Sequence, residues 1–177
     1  MSEAAEGRRW RRACGQGRAA AGVLVLVMSA LASRVECGPP GPPPGAATAA
    51  PAVIHQEIDL RARPDRVYAA LLDAKLFASI TGGLATEITA EAGGAFSCFG
   101  AHIVGRNVEL VPNRRIVQAW RVTTWPEGVY SIARFELRPR GEGTSLVFDH
   151  TGFPSELREH LAQGWEDHYW KALRTLQ

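Results

Sequence analysis

The chain has 177 residues and a formal charge of +2, with Gly and Pro crowded near its start. That length holds one domain plus extensions. The positive charge belongs to residues 1–32, where Arg8, Arg9, Arg11, Arg12 and Arg18 meet only Glu3 and Glu6; residues 33–177 carry 15 basic and 16 acidic side chains. A near-neutral body without a basic stripe argues against nucleic-acid binding, which needs cations against phosphates.

Residues 1–32 read as a secretory signal peptide. A basic region, Arg8-Arg9-Trp10-Arg11-Arg12, precedes an uncharged run of 14 residues, Ala19 to Ala32, that ends in the small-x-small site Ala30-Leu31-Ala32. The run is short for a stable membrane span, so none is expected once the signal is cleaved. An uncleaved anchor and an over-extended start are the alternatives. Export to the periplasm or beyond follows if the signal is genuine, and a cytoplasmic location if it is not. Residues 33–51 form a Pro/Gly/Ala-rich linker, because proline removes amide donors and favours polyproline II. The domain is expected over 52–177.

Cys14, Cys37 and Cys98 have neither metal-site nor redox spacing. Cys98, between Phe96 and Phe99, reads as a buried core thiol. Cys37 would be a free or intermolecular thiol in an exported chain.

Within the domain, Ile54, Gln56, Ile58 and Leu60 alternate with polar residues and predict a half-buried strand. Pro64 opens a helix carrying Val67, Leu71 and Leu72, and a second short helix holds Leu76, Phe77 and Ile80. Six strands are expected next: Leu84–Glu91 with Ile88 and Ala90 inward, Phe96–Phe99, Ile103–Val111, Arg115–Val122, Tyr130–Leu137 and Thr144–His150. Gly93-Gly94, Gly100, Pro112-Asn113, Trp125–Gly128 and Arg138–Gly143 turn the chain between them. Short connections make consecutive strands antiparallel neighbours.

The last stretch, Ser155 to Leu176, spaces Leu157, Leu161, Trp165, Tyr169, Leu173 and Leu176 by three or four, which predicts one α-helix of about six turns with Ser155 as its cap. A helix burying such large aromatics needs a broad partner. The fold expected is therefore α+β: a curved antiparallel sheet of about seven strands gripping a long C-terminal helix, with two short helices after the first strand. Gly164 in mid-helix costs about 1 kcal/mol relative to Ala, so it marks either close helix–sheet approach or a widened cavity.

The order β-α-α-β6-α resembles the helix-grip layout of the START/Bet v-type (SRPBCC) superfamily. Gly93-Gly94-Ala95-Phe96, Gly105-Arg106-Asn107-Val108-Glu109-Leu110, Arg115-Ile116-Val117-Gln118-Ala119-Trp120-Arg121 and Trp125-Pro126-Glu127-Gly128 resemble the family named for the C-terminal domain of the activator of heat-shock protein 90 ATPase. Gly143-Thr144, His150-Thr151-Gly152-Phe153-Pro154, Gly164-Trp165 and His168-Tyr169-Trp170 extend the likeness from Ile54 to Leu176. The resemblance implies the fold and brings no shared catalytic motif.

Serine-nucleophile, phosphate-loop and zinc motifs are absent from the sequence, and no cofactor or metal is expected. Among the histidines, only His160 and His168 stand at a regular helical spacing. Strand parity sends Trp120, Phe135 and Phe148 toward the last helix. It also aims His150 at the cavity, as an acid/base or as a hydrogen bond fixing the loop. His102, Asn107, Trp125 and Tyr130 lie near strand ends, where a mouth would open. The expected ligand-binding set is Phe96, His102, Trp120, Trp125, Tyr130, Phe148, His150, Trp165 and Tyr169; the competing reading is that its aromatic members are plain core. The expected function is a non-enzymatic domain binding a hydrophobic small molecule between sheet and helix. A co-chaperone that stimulates a chaperone ATPase is the alternative, and a cavity enzyme of the cyclase or hydrolase type is the second.

Overall fold

A computed structural model describes residues 51–177. The predicted signal peptide, Cys14, Cys37 and all of the linker before Pro51 lie outside the described residues. Seven strands form one antiparallel sheet in the order β1-β7-β6-β5-β4-β3-β2. They are β1 Val53–Leu60, β2 Glu87–Ile88, β3 Ala95–Cys98, β4 Ile103–Val111, β5 Arg115–Val122, β6 Ser131–Arg140 and β7 Gly143–Thr151. Helices α1 (Pro64–Leu72) and α2 (Ala74–Ile80) follow β1. The α+β helix-grip architecture is thus the one expected.

Alternation does what strand parity requires. Ile54, Ile58 and Leu60 of β1, Ile116 and Trp120 of β5, Phe135 and Leu137 of β6, and Leu146 and Phe148 of β7 are all buried on the concave face. Fully burying each large side chain contributes about 1.5–3 kcal/mol. Proline at N1 starts α1, and the Asp73 carboxylate accepts from the Leu76 amide to start α2. At the hairpin between β6 and β7, Thr144 Oγ1 donates to the Ala62 carbonyl at 2.7 Å, tying the sheet to the entrance of α1.

Three local features differ from expectation. Strand β2 is only Glu87–Ile88, and Ala90 is exposed, because Gly94 folds the 89–94 segment back on itself. A β-bulge interrupts the β4–β5 register between Asn107 and Glu109 and leaves Val108 exposed. Phe99 is not part of β3: Phe99, Gly100 and Ala101 adopt φ of 55°, 65° and 66° in succession. A bulky residue there is strained, and in this turn the Phe99 ring packs on Phe77, His168 and Tyr169 at centroid distances of 5.5–5.9 Å.

The last helical stretch is not one regular α-helix. A 3₁₀ turn at Ser155–Leu157 leads into α3 (Arg158–Trp165), a π turn at Glu166–Trp170 and a final turn α4 (Lys171–Leu173). Ser155 does not cap it; its hydroxyl reaches only Glu156 at 3.5 Å. The π turn fits one extra residue into its winding. Trp165 and Trp170, five apart, would diverge by about 140° on an α-helix. Here both are buried, with stacked rings 5.7 Å apart and 19° from parallel. Trp170 Nε1 donates to Gln56 Oε1 at 2.8 Å, which explains the glutamine among the inward residues of β1.

Candidate functional site

A cavity of about 690 Å³ lies between the last helical stretch, the start of β4, the end of β5 and the loop after α2. Phe99, Ile103, Trp120, Val122, Leu161, Trp165 and Tyr169 supply its apolar wall. His102, His160 and His168, all exposed, stand around its opening. Its size falls within the range of small-molecule sites.

The helix makes room for this cavity. His160, Gly164 and His168 follow at i, i+4 and i+8 on one stripe, and all three border it. A Cβ on Gly164 would meet nothing within 4 Å. Close approach of the backbone to the sheet is therefore not the reason for this glycine, which borders the cavity instead. The close approach occurs at Gly105 instead, where a Cβ would strike the Phe96 ring and the Ala119 carbonyl.

Of the nominated ligand-binding residues, His102, Trp120, Trp165 and Tyr169 border the cavity. The other five stand elsewhere. Phe96 lies over Gly105. Phe148 is fully buried against Trp165, with ring centroids 4.4 Å apart. Trp125 is buried against Trp120 at 5.6 Å, its carbonyl held by Arg121 Nη2 at 2.8 Å. Tyr130 faces solvent under the Arg121 guanidinium, 5.5 Å from its ring centre. Asn107, expected near a mouth, is fully buried: it donates to the Thr89 carbonyl at 2.9 Å and accepts from Gln118 at 3.0 Å, pinning the Gly93-Gly94 turn.

His150 does not reach the cavity. It is fully buried behind Trp120 and Trp165. Trp165 Nε1 donates to His150 Nδ1 at 3.0 Å, and His150 Nε2 lies 2.7 Å from Ser131 Oγ. Ser131 Oγ donates in turn to the Trp120 carbonyl at 2.9 Å. An indole nitrogen is a donor only and the Ser131 proton is already committed, so one assignment satisfies the chain: a neutral imidazole protonated at Nε2. Burial pushes its pKa down to about 3, so the ring is the neutral imidazole and not an imidazolium near neutrality. The hydrogen-bonding reading of His150 replaces the acid/base one.

Sequence reasoning missed Phe99, because alternation assigned it to a strand, and Trp170, because a 3.6-residue period places it off the buried face. His160 and His168 were legible as a spaced pair, and Gly164 between them was readable as either a close helix–sheet approach or a widened cavity. Among the described residues no cluster of three or more potential metal ligands exists. Cys98 is buried, and burial pushes its thiol up to about 12.

A curved antiparallel sheet closed by a C-terminal helix over an aromatic cavity defines a helix-grip domain. The family model described as "Activator of Hsp90 ATPase homolog 1-like protein" matches residues 61–176, and the chain belongs to that family. Human activator of 90 kDa heat shock protein ATPase homolog 1 is 28% identical over 111 residues, covering 63% of this chain and 32% of the human protein. Mouse homolog 2 is 34% identical over 89 residues, covering 50% and 27% of the two chains. The chain thus spans about a third of the length of these relatives. An Hsp90 activator from Plasmodium falciparum superposes with a TM-score of 0.64 at 23% identity, over 67% of this chain and 90% of that one. The Chromobacterium violaceum protein CV1439 does so with 0.57 at 29% identity, over 70% and 94%.

Proposed function

We propose that this domain acts without catalysis and holds a hydrophobic small molecule between the β4–β5 end of its sheet and the last helix. The observation that carries the reading is the aromatic-walled cavity of about 690 Å³ opposite a helical glycine whose missing side chain leaves it open. A mid-helix glycine costs about 1 kcal/mol against alanine, and here packing offers no return for it. Native mass spectrometry of the protein from its own cells tests the reading. A bound small molecule, lost in Gly164→Trp, is the expected result. A bare mass, unchanged after incubation with apolar probes, overturns it.

Family membership supports a second reading, stimulation of a chaperone ATPase, since the relatives above are named as activators of the 90 kDa heat shock protein ATPase. The solvent face of the last helical stretch offers a charged surface, with Lys171 paired to Asp167 at 2.5 Å and Arg174 paired to Glu166. An unchanged ATPase rate at saturating domain would exclude this reading. Export remains part of the proposal through residues 1–32. An intact mass beginning at Ser33 supports it and bears against an intracellular chaperone partner.

A further inference from the structure

The near-neutral total of residues 33–177 conceals a division along the sheet. At the end away from the cavity, β1 runs into α1, β4 turns into β5 and β6 turns into β7. Six exposed arginines gather there: Arg61, Arg63, Arg66, Arg114, Arg138 and Arg140. Asp59, Asp65 and Glu142 oppose them, so arginines outnumber carboxylates by three. Two grooves flank the tip of the β6–β7 hairpin. One, of about 660 Å³, holds Arg63 and Arg114, and the other, of about 340 Å³, holds Arg61 and Arg140. Glu142 and Gly143 of the tip border both. Gly143 lets the tip lie close on β1, since a Cβ there would strike the Leu60 carbonyl. In each groove one arginine is engaged. Arg63 grips Asp65 through Nε at 3.0 Å and Nη2 at 2.9 Å, and Arg140 pairs with Asp59. The second arginine of each groove, Arg114 in one and Arg61 in the other, makes no ion pair among the described residues.

We infer that this end of the sheet docks an acidic peptide segment of a partner protein, laid across the hairpin tip so that one carboxylate meets Arg114 and another meets Arg61. A guanidinium presents a planar fork of N–H donors that matches a carboxylate. The Arg63–Asp65 pair shows that fork in use at this end. The three carboxylates set among the arginines select the kind of partner. A phosphate backbone or an anionic lipid surface carries closely spaced charge of one sign, so it meets Asp59, Asp65 and Glu142 along with the arginines. A peptide carries its carboxylates at intervals and sets neutral groups or amide donors against those three. The path of the chain agrees. Pro51, where the described residues begin, stands at the far end of the sheet, so a domain held from that side turns its arginines outward.

This surface is separate from the cavity, and the test leaves the cavity reading untouched. The probe is a fluorescein-labelled peptide of alternating Glu and Ser, compared with a twin carrying Gln in place of Glu. Anisotropy titration with the full chain at low salt should show the acidic peptide binding about tenfold tighter, the scale of two exposed ion pairs. Added salt should erode that preference. The double substitution Arg61→Glu/Arg114→Glu should cancel it. Both side chains are exposed, so the variant should unfold at the same urea concentration as the unaltered chain. Lys75→Glu/Arg106→Glu, an equal change of charge elsewhere on the domain, should leave the preference in place. Equal binding of the two peptides overturns the inference, and so does a preference that survives the change at Arg61 and Arg114. Equal loss in both variants overturns it as well, because attraction to net charge then explains the binding. Tighter binding of single-stranded DNA or phosphatidylserine vesicles than of the acidic peptide, abolished by the same two substitutions, assigns the surface to phosphates and overturns the peptide reading.

Discussion

Trp165 donates its indole proton to His150 Nδ1 across 3.0 Å, and that bond joins the last helix to β7 in the centre of the fold. Through Ser131 it continues to the Trp120 carbonyl, so three strands and the helix share one polar chain in an aromatic core. Removing one member leaves buried partners unpaired, which costs about 1–3 kcal/mol. His150→Leu should therefore lower stability by at least that amount in chemical denaturation, more than the loss of its ring packing alone.

The same histidine sets an acid limb. Its pKa is near 3 in the folded chain and near 6.5 when unfolded. The unfolded state thus binds the extra proton between those values, and stability falls as pH drops from 6.5 toward 3, by up to about 1.4 kcal/mol per pH unit. His55 works in the opposite direction: its hydrogen bond to Asp149 raises its pKa, and its contribution is lost as pH rises through that value. The difference between the unaltered chain and His150→Gln, measured by urea unfolding from pH 7 to 4, should shrink steadily as the pH falls. A constant difference would refute a neutral buried imidazole.

Gly164→Ala should raise helix stability by up to about 1 kcal/mol, because the added methyl meets open space. Thermal unfolding reads this directly. Gly105→Ala should do the reverse, since its methyl would collide with Phe96 and the β5 backbone; overpacking of this kind costs about 1–3 kcal/mol. Opposite signs for the same substitution at two glycines distinguish a cavity from a close contact.

Cys98 should resist alkylation in the folded protein. It is 4% exposed, and its raised pKa leaves almost no thiolate at neutral pH. In a Cys14→Ser/Cys37→Ser background, its reaction with a thiol reagent should proceed only at the rate of opening and become fast in denaturant. Rapid labelling under native conditions would contradict its place in the core.

Trp170→Phe should cost more than its size suggests, because Gln56 Oε1 loses the 2.8 Å bond that satisfies it between the sheet and the last helix. Replacing Gln56 by Leu in the same chain should recover part of that loss, and a double-mutant cycle measures the coupling.

The sequence by itself determined the inward faces of β1, β5, β6 and β7, the two short helices, the family and the buried thiol. Each follows from a period of two or 3.6, or from a run of ordered motifs, and these are properties of neighbouring residues. His160, Gly164 and His168 were likewise readable as one helical stripe. What only the tertiary structure decided concerns register and departures from regularity. The π turn brings Trp170 inward beside Trp165, and three left-handed residues aim Phe99 at the helix. Both break the period on which sequence reading depends. The division between cavity wall and solid core was also set in three dimensions: Trp120 and Phe148 share a face of one sheet, but only Trp120 meets the helix where Gly164 leaves space. Parity gives the side a residue points to, whereas the distance to whatever stands opposite depends on how helix and sheet are finally placed.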